Sequence, residues 1–392
     1  MRYKVVKLVR IVITGDNHLN LYNQKLGSKL SDRRATIGRA WNKTIEYAIK
    51  NKADLYINTG DLFDQLSPRN PPRASVIDGF KRLRDADISA YIVAGNHEVP
   101  SSEREGVSPH ALLREAELAT VFENRTDFEQ KMEQIGDISV SIAGMSYNKN
   151  LAPKTDPLEG KTIPAGADLN IAILHYSIED VAPPIWEEPL IRKASIERNN
   201  HIQLYAMGHI HEHIITKIND SHIVYPGGTE HYDFGEWEKT TGFTVADYED
   251  DIRLEYIPVE SQPMKQVKLH TSFTEHDKIN HSINEELNKH SDPDGLLQLV
   301  LEGEMPFQKY TKIDFTGITQ TGSSQNFYFE LVDRIRPTGE GLEFKPGEGL
   351  NPRKKLEEVA QKAVENAEGE DKKIWQQAMT YAIEYYLQER EN

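Results

Sequence analysis

The sequence predicts an α/β fold in which strands alternate with helices and share one crevice at the strand tips. Three observations carry that expectation. Five short apolar runs each stop abruptly at polar residues, stretches of helical periodicity separate the first of these runs, and the polar residues at the run ends are Asp, Asn and His.

In chain order the runs are Leu8–Thr14 before Gly15-Asp16-Asn17-His18, Asp54–Thr59 before Gly60-Asp61-Leu62-Phe63-Asp64, and Ala90–Ala94 before Gly95-Asn96-His97-Glu98. Asn170–Leu174 then precedes His175, and Gln203–Met207 precedes Gly208-His209-Ile210-His211. Amphipathic periodicity predicts helices over Ala35–Lys50 and Ala74–Arg84. Beyond His211 come the short β-like segments Ile223–Tyr225, Phe243–Tyr248 and Ile252–Ile257, expected to complete a second sheet packed on the first. From about Met264 to Arg336 a charged helical stretch alternates with strand-like Leu296–Glu302, Tyr310–Phe315 and Asn326–Val332, a small α+β module.

Residues 337–352 hold Gly339, Gly341, Gly347 and Gly349 with three prolines and read as a linker. Two amphipathic helices are expected after it. Leu356, Val359, Ala360, Ala363 and Val364 form one stripe, and Ile374, Trp375, Ala378, Met379, Ala382, Ile383, Tyr386 and Leu387 form another. So small a pair buries its apolar face poorly by itself, so it packs back on the body or docks on a partner protein.

With 392 residues the chain has room for two or three domains, and 38% hydrophobic against 28% charged residues reads as a soluble globular protein. The absence of cysteine excludes disulfides, thiolate metal sites and cysteine nucleophiles, and fits a reducing cytoplasm. No apolar stretch approaches the ~20 residues that span a bilayer, and Arg10 interrupts the apolar N-terminal run, so neither a membrane span nor a secretion signal is expected. The net charge of -16 argues against a general nucleic-acid-binding surface. The charge is uneven, however. Lys25, Lys29, Arg33, Arg34, Arg39 and Lys43 cluster against the single acid Asp32, and Arg69, Arg73, Lys81, Arg82 and Arg84 against Asp78. Such clusters are either solvated helix faces or surfaces that track phosphates beside an active site.

The chemistry lies in the combination and order of Asp-x-His, Gly-Asp-x-x-Asp, Gly-Asn-His-Glu, a strand-end His and Gly-His-x-His. Two divalent cations about 3.5–4 Å apart call for imidazoles, carboxylates and one bridging ligand. Asp61 is the expected bridge, since a carboxylate partly neutralises both ions. Asp16 and His18 on an extended segment would share a face because strand side chains alternate with period two, and His209 and His211 would repeat that geometry. Glycines before the ligands let the backbone turn sharply. A cation pair of this kind binds a non-bridging phosphate oxygen and lowers the pKa of water for in-line attack. Adjacent Asn96 and His97 point in different directions, so Asn96 is read as a ligand and His97 as the catalytic group that stabilises charge or protonates the leaving oxygen. His110, His201 and the remaining histidines are read as surface or hydrogen-bonded core residues.

These motifs resemble the calcineurin-like metallophosphoesterase superfamily and, within it, the SbcD type, the meiotic recombination eleven family of DNA double-strand-break repair nucleases. The narrower likeness rests on Gly60-Asp61-Leu62-Phe63-Asp64 with Ser67, Pro68, Pro71 and Pro72 after it, and on Tyr225-Pro226-Gly227-Gly228-Thr229-Glu230 with Asp233-Phe234. Val300–Glu304 falls where such nucleases carry a DNA-capping domain. The resemblance implies a four-layer αββα sandwich (1–262), a capping module (263–336), the linker (337–352) and a C-terminal helical segment (353–392) that grips an SMC-like coiled-coil ATPase. It also implies a homodimer, a nucleoid-associated cytoplasmic location, two Mn2+ ions, and 3′–5′ exonuclease plus endonuclease activity on DNA. One ion would take Asp16, His18, Asp61 and His211, the other Asp61, Asn96, His175 and His209. Lys25, Lys29, Arg33, Arg34, Arg69 and Arg73 would be DNA contacts. Asp64 stands where many members carry a second histidine implicated in exonuclease action, which leaves the balance of the two activities open. Dimerisation is expected through helices around Ala74–Arg84 and Pro109–Leu118.

Two rival readings follow from the same residues. A phosphatase of the superfamily usually continues Gly-Asp-x-x-Asp with Arg-Gly, whereas Gln65 and Leu66 stand here. A DNA-end tether with a vestigial site fits the acidic surface and the C-terminal helices but has no need of a complete ligand set.

Overall fold

The computed structural model describes residues 8–102, 106–182, 188–271 and 278–338, with Val364, Glu365, Lys372 and Trp375. The chain divides into two compact units, one of 1–305 with 311–336, the other of 306–310 with 337–392.

In chain order the first unit runs β1 (Val9–Thr14), α1 (Leu30–Lys50), β2 (Leu55–Asn58), α2 (Asn70–Asp85), β3 (Ser89–Val93), α3 (Ala111–Glu115), β4 (Thr120–Phe122), β5 (Glu129–Ile135) and β6 (Ile138–Gly144). It continues through β7 (Leu169–His175), β8 (Ser177–Ile178), β9 (Leu190–Ile191), α4 (Lys193–Arg198), β10 (Leu204–Gly208), β11 (Ile214–Ile218), β12 (Ser221–Tyr225), β13 (Gly242–Tyr248) and β14 (Ile252–Pro258). One six-stranded sheet has the order β14-β13-β1-β2-β3-β4, the other β11-β12-β10-β7-β6-β5. In the first sheet β1 to β4 are parallel and β13 pairs antiparallel with β1 and with β14; in the second β6, β7, β10 and β12 are parallel and the edge strands β5 and β11 antiparallel.

Period-two alternation explains why the sheets stack. Ile11 and Ile13 of β1, Ile57 of β2, Val93 of β3, Ile171 and Ile173 of β7 and Ala206 of β10 meet in one buried layer between the sheets. The intervening residues face outward to helices. Val12, Tyr56 and Ile92 pack with Trp41, Ile45 and Phe80 beneath α1 and α2, while Ala172, Tyr205 and Ile223 pack with Ile196 of α4 on the far side. The result is the four-layer sandwich. Gly79 of α2 leaves space for the Trp41 ring, whose Cη2 lies 2.5 Å from where a β-carbon would stand.

Two expectations require correction. Only β12 of the late β segments joins the second sheet; β13 and β14 return as a hairpin to the first, where β13 pairs antiparallel with β1 from Val9↔Tyr248 onward. In the small module the strands are β15 (Met264–His270), β16 (Leu296–Pro306) and β17 (Tyr328–Thr338), with helices α5 (Ile279–His290), α6 (Phe307–Tyr310) and α7 (Phe315–Gln325). Residues 310–315 are therefore not a strand: α6 ends there, and Asp314 caps α7 by accepting from the Gly317 amide. The sandwich and the β15-β16-β17 sheet lie in one compact unit. Val364, Glu365, Lys372 and Trp375 are helical; the rest of the expected C-terminal helices, and the expected linker from 339 onward, fall outside the described residues.

Arg33, expected at a DNA-binding surface, is instead 1% exposed. Its guanidinium pairs with Glu230 at 3.2 Å and donates to Gln262 Oε1 at 3.0 Å. Burial pulls its pKa down, and Glu230 opposes the fall. The pair ties α1 to the segment that follows β12. Replacing Arg33 with Met leaves Glu230 buried without its partner and is expected to cost ~3–5 kcal/mol. Chemical denaturation of the two proteins checks this, and a loss under ~1 kcal/mol would contradict it.

Candidate metal centre

Every candidate ligand stands at or just past the C-terminal tip of a parallel strand, on five strands that lie side by side within the two sheets. The loop after β1 is zipped to the loop after β2 by main-chain hydrogen bonds, Asp16 N to Gly60 O and His18 N to Asp61 O at 3.0 Å, Leu19 N to Leu62 O at 2.8 Å. The expected extended geometry does not hold. Asp16, His18 and Asp61 have φ of 47°, 47° and 49°, and His209 has 89°, so the side chains converge through left-handed residues rather than through the strand pleat. Such conformations cost of order 1–3 kcal/mol each and persist where surrounding structure enforces them. Gly95 must be glycine, since a β-carbon there would lie 2.2 Å from Asp61 Oδ1.

Glu98 is the strut between loops. Wholly buried, it accepts from Phe63 N at 2.7 Å and Gly95 N at 3.1 Å and pairs with His110 Nε2 at 2.7 Å. His110 is thus a hydrogen-bonded core residue. Main-chain amides also point at the carboxylates: His97 N donates to Asp61 Oδ1 and His209 N to Asp16 Oδ1, each at 3.0 Å.

The side chains form overlapping groups, Asp61 standing with His18 and His97 as well as with Asp16 and His175. On one side Asp16, His18 and His211 offer ligand atoms within 4.8 Å of one another; on the other, Asp16, Asp61 and His175 do so, and His175 Nε2 and His209 Nδ1 each lie 3.1 Å from Asn96 Oδ1. All seven sequence-predicted ligands are brought together. His97 borders them, its ring 4.8 Å from that of His18, and it remains partly exposed.

The protonation pattern tests whether cations fit. Three imidazoles donate through Nδ1: His18 to Asp64 Oδ1 at 3.0 Å, His211 to Glu236 Oε1 at 2.6 Å, His175 to the Thr59 carbonyl at 2.8 Å. In the neutral rings the Nε2 lone pairs then face the site. Those of His18 and His211 face each other at 3.0 Å, and that of His175 faces Asp61 Oδ2 at 3.2 Å. Electron pairs opposed in this way need a positive charge between them. Buried Asp16 Oδ2 has no hydrogen-bond partner, which adds another acceptor to the set. The donors are nitrogen and oxygen only, the set that suits Mn2+, Fe2+ or Zn2+. Burial disfavours protonated His175 and His211, but Asp61 and Glu236 respectively prevail and push each pKa up to about 9. Burial would raise the Asp61 pKa; the facing histidines reverse this and hold it well below the usual carboxylate range.

Several contributors were not found in the sequence. Glu236 holds His211, and Glu188 lies 2.6 Å from His209 Nε2; carboxylates behind ligating histidines fix ring orientation and raise ligand basicity. Tyr232 sets its ring 4.6 Å from that of His18 and 5.6 Å from that of His211. Glu236 follows Asp233-Phe234-Gly235 and could have been found as an acid near the motif; Glu188 carries no local signal. Asp64 is buried and turned toward His18 and Tyr22 N, which places it behind a ligand. Of the remaining basic candidates, Lys25 pairs with Glu330 at 2.7 Å, Lys29 lies 5.2 Å from the centre of the Phe327 ring, and Arg34 donates to the Leu21 carbonyl at 2.8 Å. Arg69 is exposed, and Arg73 is half-buried at the start of α2.

The chain is similar to known proteins. The calcineurin-like phosphoesterase family matches residues 9–213, more than half of the chain. The DNA double-strand break repair protein Mre11 of Methanocaldococcus jannaschii is 28% identical over 282 residues, covering 70% of this chain and 71% of that protein. The protein of the same name from Sulfolobus acidocaldarius is 24% identical over 314 residues, 77% of each. The uncharacterized metallophosphoesterase YhaO of Bacillus subtilis is 23% identical over 191 residues, covering 47% of this chain and 43% of that one. Among the described residues no helix is long and apolar enough to cross a membrane.

The two raised imidazoles set a pH dependence. Folded values of about 9 against an ordinary 6.5 mean that His175 and His211 stabilise the metal-free fold fully below about pH 6.5, and that this contribution is lost as pH rises through 9. Metal ligation requires the neutral rings, so loaded protein lacks this loss. The melting temperature of chelator-stripped protein should fall between pH 6.5 and 9.5 while that of metal-loaded protein does not fall with it. Parallel declines would contradict the assignment.

Proposed function

The chain belongs to the calcineurin-like phosphoesterase family and is a metal-dependent phosphodiesterase; from that premise we propose that it is a DNA nuclease of double-strand-break repair. The observation that supports this reading most is the convergence of His18, His175 and His211 with Asp16 and Asp61, whose ligand atoms lie in overlapping groups within 4.8 Å. The ligand sets are Asp16, His18, Asp61 and His211 for one divalent ion, and Asp61, Asn96, His175 and His209 for the other, with Mn2+ as the ion. When bound, the cations supply Lewis-acid charge to the phosphoryl oxygens and activate water.

The protein's own groups do the rest. Asp61 fixes the spacing of the two halves, and Asp64, Glu236, Glu188 and the Thr59 carbonyl orient the rings. His97 donates through Nδ1 to the Asp64 carbonyl at 3.0 Å, which leaves Nε2 to face substrate and hold the proton that the departing oxygen takes. DNA as substrate is supported by the likeness to two archaeal Mre11 proteins over 70% or more of this chain. The 3′–5′ exonuclease and endonuclease activities are part of the same proposal, as is partnership with an SMC-like coiled-coil ATPase through the amphipathic segment 353–392. A homodimer through α2 and α3 is supported by Ile77 and Leu112, apolar side chains left 37% and 42% exposed on those helices.

His97→Gln should lower Mn2+-dependent cleavage of labelled DNA by ~10²–10⁴-fold with metal content per chain unchanged. Undiminished cleavage would remove His97 from catalysis, and preference for a phosphomonoester with DNA left intact would overturn the nuclease reading. Truncation before residue 352 should leave nuclease activity and abolish co-purification with the ATPase; retained co-purification would refute that role for the segment. Leu112→Glu should convert a dimer to monomer by light scattering, and an unchanged mass would place the interface elsewhere.

A further inference from the structure

A groove of about 810 Å3 runs between α1 and α2, away from the metal ligands. Leu19 and Asn20, the residues directly after His18, are part of its lining. Four cations line it, Arg34, Arg39 and Lys43 from α1 and Arg69 from the start of α2, against the single acid Glu46. That acid already accepts from Asn42 at 2.6 Å. Among the described residues no carboxylate pairs with any of the four: Arg34 donates to the Leu21 carbonyl, Arg39 to Thr36 Oγ1 and Lys43 to the Glu260 carbonyl. Neutral oxygens thus position Arg34, Arg39 and Lys43 without cancelling their charge. Burial, and then the neighbouring charge of Arg69, pull the Arg34 pKa down, while Asp64 opposes the fall. In a chain of net charge -16, these four cations share one groove without a carboxylate partner among the described residues.

We propose that this groove carries the phosphate backbone of the nucleic acid on its way to or from the metal ions. This rests on the reading of the substrate as DNA and adds where its backbone runs. Helix-borne arginines and lysines beside small side chains suit a phosphodiester strand, and Ser31 and Ser75 add neutral donors of the kind that contact phosphates. The occupant is identified by charge and not by base, so the groove contributes affinity and path rather than sequence preference.

The test combines Arg39→Gln, Lys43→Gln and Arg69→Gln in the full chain, none of them in the metal centre. Binding of a labelled oligonucleotide, single- or double-stranded, is measured in chelator across a salt series. The slope of log affinity against log salt should shrink by roughly 0.7–0.9 for each cation removed. Turnover of bis(p-nitrophenyl) phosphate with Mn2+, which has no flanking backbone, should be unchanged. The charge-keeping set Arg39→Lys, Lys43→Arg and Arg69→Lys should retain the wild-type slope. An unaltered slope in the neutralised variant overturns the proposal, as does weakened binding with the slope intact. So does loss of poly-glutamate binding with oligonucleotide binding preserved, which would make the occupant an acidic polypeptide. Failure of the wild type to cut DNA while it hydrolyses the chromogenic diester would sink the nuclease reading alone, because the salt slope is measured without cleavage.

Discussion

The carboxylate of Asp61 is held where desolvation should neutralise it. It stays ionised because His175 faces Oδ2 at 3.2 Å, with His18 and His97 adding to the field, and because the His97 amide donates to Oδ1. A single buried anion thereby brings together loops from β1, β2, β3 and β7. The cost of such a grouping is electrostatic and conformational at once, as the left-handed φ values of Asp16, His18 and Asp61 show. What sustains it is the rigid sandwich beneath, where the Ile11, Ile13, Ile57, Ile171 and Ile173 side chains exclude water and fix the strand tips.

Orientation is set from behind. Asp64, Glu236 and the Thr59 carbonyl each accept from an Nδ1, so that Nε2 of His18, His211 and His175 faces the centre, while Glu188 faces His209 from the opposite ring nitrogen. Glu98 plays the corresponding part for the backbone, holding the Phe63 and Gly95 amides at fixed separation. The ligands alone do not define the centre; its geometry is the joint product of these outer contacts.

The sequence revealed the ligands well because each follows an apolar run whose end is abrupt, and because glycine and histidine at such ends have few other uses. It revealed α1 and α2 by periodicity, with both starting several residues earlier than the apolar stripe alone indicates. What it hid were relations between distant residues. Arg33 looks like its basic neighbours in the chain, and only the fold places it against Glu230. The β13–β14 hairpin follows the second sheet in sequence, yet its register matches β1 of the first. Asp-x-His suggested pleated geometry, and the backbone reaches the same convergence by a different route, since period-two reasoning stops where the strand stops.

The two sheets contribute unequally to the centre. Asp16, His18, Asp61 and Asn96 come from one, His175, His209 and His211 from the other, and the layer between the sheets is mainly apolar. Whatever binds all seven is a rivet through both layers at one end of the sandwich. A slip of the sheets over this layer would register first as an altered separation of the two sets of ligands. The centre is thus a strain gauge for the sandwich, and the spacing of its imidazoles and carboxylates would report, at atomic scale, any load applied far from it.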